Sequence, residues 1–242
     1  MVEDIVREVF LFPSAGDSLY GSLYAASRPG AGGGLVICPA WGWESSWTLD
    51  GAHRLGLEAA RRGGAALVFH WPGHGDSEGD PEDATVDRLV EATGDALVAA
   101  SGRLSGLDWG LAGVRLGATA AVLATAALGT RRLLLVQPAL DPPGWLSELD
   151  RLGGGATSGW LGGFPVSEAF RRSASGAATK EAVAAFEGWA GVARYERPPL
   201  VEVPDRWGVR TVPGDWRRYI RTDHRALFDA AADLLPAFLE ER

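Results

Sequence analysis

The chain has one cysteine, Cys38, and one lysine, Lys180, and each scarcity closes off a class of function. A lone thiol cannot form an internal disulfide, which fits a reducing compartment and a cytoplasmic protein. With a net charge of −8 there is no dense cationic face for a phosphate backbone, so nucleic acid is not an expected partner. Arginine pairs such as Arg61-Arg62, Arg131-Arg132 and Arg171-Arg172 sit beside predicted helix or strand ends, where solvated charge or helix dipoles account for them. Long apolar runs are missing as well. The Ala-rich stretch 118–128 is too short to span a bilayer, and the opening MVEDIVREVF carries acids where a signal peptide would carry an apolar segment. Core-forming material is plentiful: 46% of the 242 residues are hydrophobic and 22% charged, which suits one large α/β domain.

Hydrophobic pattern gives a coarse map. Residues 9–12 and 19–25 flank a turn-forming stretch, 13–17, and predict an opening hairpin. Short apolar runs at 35–38, 65–69, 107–113 and 133–136 alternate with helical spacing near 50–62, 84–103 and 117–129, which predicts βαβ crossovers and a mainly parallel sheet. Residues 200–203 and 209–212 read as the last two strands, and 225–240 as an amphipathic closing helix interrupted by Pro236. Between them, 142–199 is Gly-rich with small helical pieces and reads as a cap inserted into a core made of 1–141 and 200–242. Sites in such sheets lie beyond the carboxyl ends of the strands, which gathers four loops at one mouth: 39–47, 70–80, 115–116 and 137–145.

At the third of these loops the chain reads Gly113-Val114-Arg115-Leu116-Gly117. The spacing is that of a nucleophile elbow, G-x-S-x-G, in which two glycines permit a cramped strand-to-helix turn that exposes the middle side chain. Arginine cannot be that nucleophile, because its guanidinium stays protonated and offers no lone pair.

With this turn, the loop after Leu35-Val36-Ile37 and the turn Pro72-Gly73-His74-Gly75-Asp76-Ser77, the chain resembles the α/β-hydrolase superfamily over nearly its whole length. More narrowly, it resembles the second family of hydrolase-like proteins associated with the exosortase A system, which carry arginine at the elbow. The stretches in question are 75–80 with Asp83-Ala84-Thr85, 109–118, Gln137-Pro138, 163–167 and Val212-Pro213-Gly214. That resemblance implies an intracellular hydrolase-like protein linked to polymer or natural-product biosynthesis, and no particular substrate.

Two readings of Arg115 stand side by side. At the N-terminus of the helix starting near Leu116 it could grip a carboxylate or phosphate, aided by the Leu116 amide and one from Ala40 or Trp41. Alternatively it forms an internal ion pair with Glu44, Asp141 or another acid at the mouth. His224, after the last strand, is the candidate general acid or base, or else part of a helix cap begun by Asp223. The superfamily resemblance would put an orienting acid at Asp205, with Asp141 the alternative; both are equally ordinary beside proline in turns. His70, at a strand end, is placed to hydrogen-bond within the mouth. Its four-residue spacing from His74 on a Pro-Gly turn makes no metal site, and no cofactor is expected. Trp41, Trp43, Trp47, Trp71 and Trp145 fall in the converging loops and Trp160 in the cap. At least half should fill the cap–sheet interface, and the rest would line an aromatic cleft for a ligand with an anionic end.

The function expected first is an enzyme without a covalent serine intermediate that uses Arg115 and His224 on a small apolar or aromatic carboxylate- or acyl-containing substrate. The alternatives are, in order, a pseudoenzyme serving as a ligand-binding or partner subunit, with a homodimer or a biosynthetic partner as its assembly, and an esterase or thioesterase with a displaced nucleophile at Ser45, Ser46 or Cys38. Arg115→Ser is expected to leave folding intact.

Overall fold

The computed structural model describes residues 4–27, 33–152, 160–161, 164–197, 202–216 and 224–240. The chain opens with β1 (Ile5–Ser14) and β2 (Asp17–Ala26), paired antiparallel without a break in register. Their two-residue turn, Ala15-Gly16, has positive φ at both positions, 45° and 97°, the turn whose twist matches that of the flanking strands. Alternation then sets in: β3 (Gly34–Cys38), α1 (Ser45–Arg61), β4 (Ala65–Phe69), α2 (Val86–Arg103), β5 (Trp109–Val114), α3 (Leu116–Leu128) and β6 (Arg132–Val136). Every residue of β3 to β6 is buried, as expected of apolar strands covered on both faces.

After β6 come α4 (Pro142–Leu152), a small hairpin of β7 (Trp160–Leu161) and β8 (Phe164–Pro165), α5 (Glu168–Gly176) and α6 (Thr179–Ala185). The chain returns through β9 (Trp189–Arg197) and β10 (Gly208–Asp215) to the closing helices α7 (Arg225–Ala232) and α8 (Leu235–Glu240). The main sheet has the order β1-β2-β4-β3-β5-β6-β9-β10, parallel from β4 to β10. One apolar layer packs α2, α3 and the insertion on one face; the other packs α1, α7 and α8 on the opposite face.

Two expectations are corrected here. The penultimate strand is β9, 189–197, and residues 202–204 are not in a strand; Leu200 and Val201 lie outside the described residues. The residues from Trp189 onward, read above as the end of the cap, therefore belong to the core sheet. Their apolar run is interrupted by Gly191 and Arg194, and burial of Ala190, Val192, Ala193 and Tyr195 against β6 and α7 outweighs the weak local pattern. The last strand runs through Pro213, which is tolerated because β10 is an edge.

Candidate functional site

The turn between β5 and α3 has the cramped geometry that its glycines suggested. Arg115 has φ 52° and ψ −119°, a region costly for any side chain and kept only where surrounding structure enforces it. Enforcement is visible. The Arg115 amide donates to Val136 O at 3.1 Å, and its carbonyl accepts from Ala118 N and Ala139 N, both at 3.0 Å. A Cβ at Gly113 would sit 2.3 Å from Ala118 Cα, and one at Gly117 would sit 2.3 Å from the carbonyl oxygens of Cys38 and Pro39. Only glycine lets β3, β5 and α3 approach this closely.

The guanidinium that emerges from this turn is buried, with Arg115 1% exposed, and all three of its nitrogens are engaged within the chain. Nε donates to Glu44 Oε1 at 2.8 Å, Nη1 to Gln137 O at 3.4 Å and Nη2 to Glu148 Oε2 at 3.4 Å. Its Cζ lies over the Trp216 ring, 4.7 Å from the centroid. Glu44, also 1% exposed, sits in a short 3₁₀ turn after β3 and gathers three donors. Besides Arg115, Trp216 Nε1 donates to Oε1 at 3.1 Å and Trp145 Nε1 to Oε2 at 2.9 Å. One carboxylate thus joins the elbow, the loop after β3, the insertion's α4 and the end of β10. Of the two readings of Arg115, this geometry is that of the internal ion pair, with Glu44 as the nearer acid, Glu148 as the second and Asp141 not among them.

No protein-family model matches the chain, and no curated protein sequence does. Solved structures do. A structure of Est1E from Butyrivibrio proteoclasticus with ferulic acid bound superposes with a TM-score of 0.72 at 17% identity, over 95% of this chain and 98% of that one. An esterase from Pyrococcus furiosus gives 0.68 at 11% identity, over 97% and 92%. Mouse alpha/beta hydrolase domain-containing protein 10 gives 0.64 at 16% identity, over 95% and 99%. The chain has the α/β-hydrolase fold.

Within that fold, the remaining candidates separate into those near the elbow and those far from it. His224 is buried and is itself the residue capping α7, its carbonyl accepting from Leu227 N and Phe228 N; Asp223 lies outside the described residues. The His224 ring stacks on Trp216 with centroids 4.5 Å apart and planes 13° apart, so one indole contacts both the elbow guanidinium and the histidine. Nδ1 of His224 is 3.2 Å from the Tyr195 hydroxyl, and Tyr195 N donates to Gln137 Oε1 at 2.8 Å. A tyrosine near the end of β9 therefore holds the histidine where the superfamily resemblance suggested an acid.

Asp205 is displaced from that role by topology. It lies in the turn preceding β10, whose first residue Gly208 pairs with Gly191 near the start of β9; the elbow is at the opposite, carboxyl end of these strands. Asp141 is exposed ahead of α4, its carboxylate packed against Gly144. Trp145, Trp41 and Trp71 are core residues: Trp41 stacks on Phe170 of the insertion at 4.5 Å, and Trp71 Nε1 donates to Pro39 O at 2.9 Å. Trp43 and Trp47 are partly buried and meet edge to face at 4.4 Å. The side chain of Trp160 lies outside the described residues. Ala40 and Leu116 are both buried beside the elbow, at the loop after β3 and at the head of α3.

His70 and His74 shape the mouth. His74 Nδ1 donates to Pro72 O and its Nε2 accepts from Gly42 N, both at 3.0 Å, which fixes the neutral tautomer and ties the turn after β4 to the loop carrying Glu44. His70 stacks on Tyr20 at 4.6 Å and accepts from Asp76 N at 3.1 Å, outside the Arg115 cluster. Burial pushes His74 down to about 4, and burial, with Arg7 and His70 adding to it, does the same to His53. A histidine with a folded pKa below its unfolded value near 6.5 contributes stability that is complete above that pH. The contribution is lost as pH falls from about 6.5 toward 4, because the unfolded chain binds the proton first. The melting temperature should accordingly drop across this window with little further loss from these groups below it, and His74→Gln should flatten the drop; a melting temperature constant from pH 7 to 4.5 would contradict the assignment.

Trp216, Tyr195 and Glu148 escaped the sequence reading. Trp216 directly follows β10 and Tyr195 lies near the end of β9, both at the carboxyl edge of the sheet, a signal that became visible only once β9 and β10 were placed; Glu148 projects from α4, whose register no strand-end argument supplies.

Proposed function

We propose that the protein is a hydrolase-fold binding or partner subunit that performs no acyl transfer, its elbow converted from a nucleophile site into a buried lock. The observation that supports this is the internal engagement of Arg115: each guanidinium nitrogen has an acceptor within the chain, Glu44 chief among them. A cation buried to this degree and already paired with carboxylates is withdrawn from an incoming oxyanion, and a charge-assisted pair of this kind is broken only at a cost of several kcal/mol. The arginine at the elbow also carries the resemblance to the exosortase A-associated proteins, and a partner role in a biosynthetic pathway is part of the proposal.

Displaced nucleophiles fare poorly. Cys38 is buried in β3 with its thiol pushed up to about 12 by that burial, far from the thiolate needed for attack. Ser45 and Ser46 open α1, and no histidine ring is seen bonded to a serine hydroxyl among the described residues: the rings face Tyr24, Asp76 N, Gly42 N with Pro72 O, and Tyr195. The full chain should therefore take no label from a fluorophosphonate or from iodoacetamide in the folded state and should not turn over p-nitrophenyl esters. A stoichiometric adduct on any serine would sink the proposal.

A second reading is favoured by one feature: His224 lines a cavity of about 200 Å³ between α1 and α7, with Trp47, Asp50, Arg54, Arg225 and Phe228. An aromatic wall with arginines beside it suits a small ligand with an anionic end. In an enzyme of this design His224 would act as acid or base on a ligand in that cavity, away from the elbow.

A further inference from the structure

The strand that ends the main sheet is unusually open. Of the four large hydrophobic side chains that stand exposed among the described residues, three lie on β1: Val6 at 53%, Val9 at 50% and Leu11 at 59%, the fourth being Val98 on α2. Natural edges are blunted by lysine, proline, bulges or projecting charge. In β1 there is no lysine, the ten-residue pairing with β2 has no bulge, and Pro13 stands only at the turn end. Its two charges are turned back onto their own subunit. Arg7 donates to the Ser22 hydroxyl at 2.8 Å and lies over Tyr24, and Glu8 pairs with Arg103 at 3.3 Å.

The hairpin turn also determines which backbone groups are free. In a two-residue turn the flanking pair, Ser14 and Asp17, is a hydrogen-bonded one, so even-numbered residues of β1 bond to β2, as Asp4 O does with Ser27 N at 2.8 Å. Odd-numbered residues therefore point their N–H and C=O groups outward: Ile5, Arg7, Val9 and Leu11, with Pro13 beyond them lacking a donor.

We infer that β1 is a docking edge for β1 of a second copy of this chain, paired antiparallel about a two-fold axis at Glu8. This register sets Ile5 against Leu11 and Arg7 against Val9 of the second copy. It uses all four outward donors and acceptors of each strand, about eight backbone bonds in all, and leaves Pro13 outside the ladder. On the α1 side the stem of Arg7 covers Val9 of the second copy; on the α2 side Val6 meets Phe10. The two Glu8 carboxylates meet at the axis, and each brings an Arg103 that stacks on its own Phe10, with Cζ 3.3 Å from the ring centroid. Two acids and two guanidiniums then alternate across the axis, which is the charge complementarity a second copy supplies and an unrelated strand does not. The result is a continuous sheet running through both subunits, independent of the elbow.

Sedimentation velocity of the full chain over a range of concentrations tests this. The wild type should show a monomer–dimer equilibrium. Val9→Lys, which sets an ammonium opposite Arg7 of the second copy, and Arg103→Glu, which gathers four acids at the axis, should each weaken the dimer about tenfold or more. Both positions are solvent-facing, and circular dichroism should show both variants folded. Val98→Lys, exposed but off the edge, should dimerise like the wild type. A wild type that stays monomeric throughout, or a dimer indifferent to Val9→Lys, overturns the edge; a dimer lost with Val9→Lys yet indifferent to Arg103→Glu overturns the register.

Discussion

Arg115→Ser should unfold with about 3–5 kcal/mol less stability than the wild type in chemical denaturation, and it should gain no esterase activity. Restoring a hydroxyl to the elbow looks like a repair. It instead strands Glu44, a buried carboxylate whose strongest partner is the guanidinium 2.8 Å away, and leaves Gln137 O and Glu148 without their shared donor. The expectation drawn from sequence, that this change leaves folding intact, is reversed by that geometry. Activity should stay absent because a hydroxyl alone is not a nucleophile without a base. His224 is stacked on Trp216 and bonded to Tyr195, so the indole would have to leave before imidazole could reach a serine. A variant as stable as the wild type would mean that Glu44 does not depend on Arg115.

Gly117→Ala should cost at least about 3 kcal/mol, near the upper range for overpacking. The added methyl would lie 2.3 Å from two carbonyl oxygens, Cys38 O and Pro39 O. Neither is the tip of a flexible side chain. Both belong to the strand end and loop that position Glu44, so relief would move the elbow and its counter-ion together. Gly102→Ala is the control: nothing lies within 4 Å of its would-be Cβ, and in helix α2 it should leave stability unchanged or raise it by up to about 1 kcal/mol. Equal effects at the two positions would argue against close packing at the elbow.

How much of this could be read from sequence depended on the kind of signal. Strands β3 to β6 announced themselves because a strand buried on both faces must be apolar throughout, and the elbow because its glycines answer to steric limits of the backbone itself. The gathering of the four loops followed from topology alone, and with it the naming of Glu44, alongside Asp141, as a candidate partner for Arg115. β9 was missed because most of its buried positions are alanine and glycine, whose local preference for strand is weak, with only Val192 and Tyr195 among them as strand formers. That single miss misplaced the penultimate strand and with it Asp205, which topology sets at the far end of the sheet. Trp216 was hidden for a related reason: a tryptophan at the end of an edge strand gives no periodic signal, and its roles, stacking on Arg115 and His224 while donating to Glu44, exist only in three dimensions.

The energetic meaning of the elbow cluster follows from its inventory. A buried ion pair stabilises little relative to a well-packed apolar replacement, yet removing one member is severe. Arg115 and Glu44 are therefore energetically bound to one another, and neither can be lost singly without a large penalty. The strained backbone at residue 115 is held separately from this pair, by main-chain bonds with Val136, Ala118 and Ala139.

A double-mutant cycle on Arg115→Ser and Glu44→Gln, read by chemical denaturation, goes to the centre of the account. A lock made of these two side chains predicts that the double variant recovers much of what the arginine substitution lost, with a coupling energy of about 2 kcal/mol or more. Additive losses, with a coupling near zero, would contradict it and return Arg115 to the role of a cation held ready for a ligand.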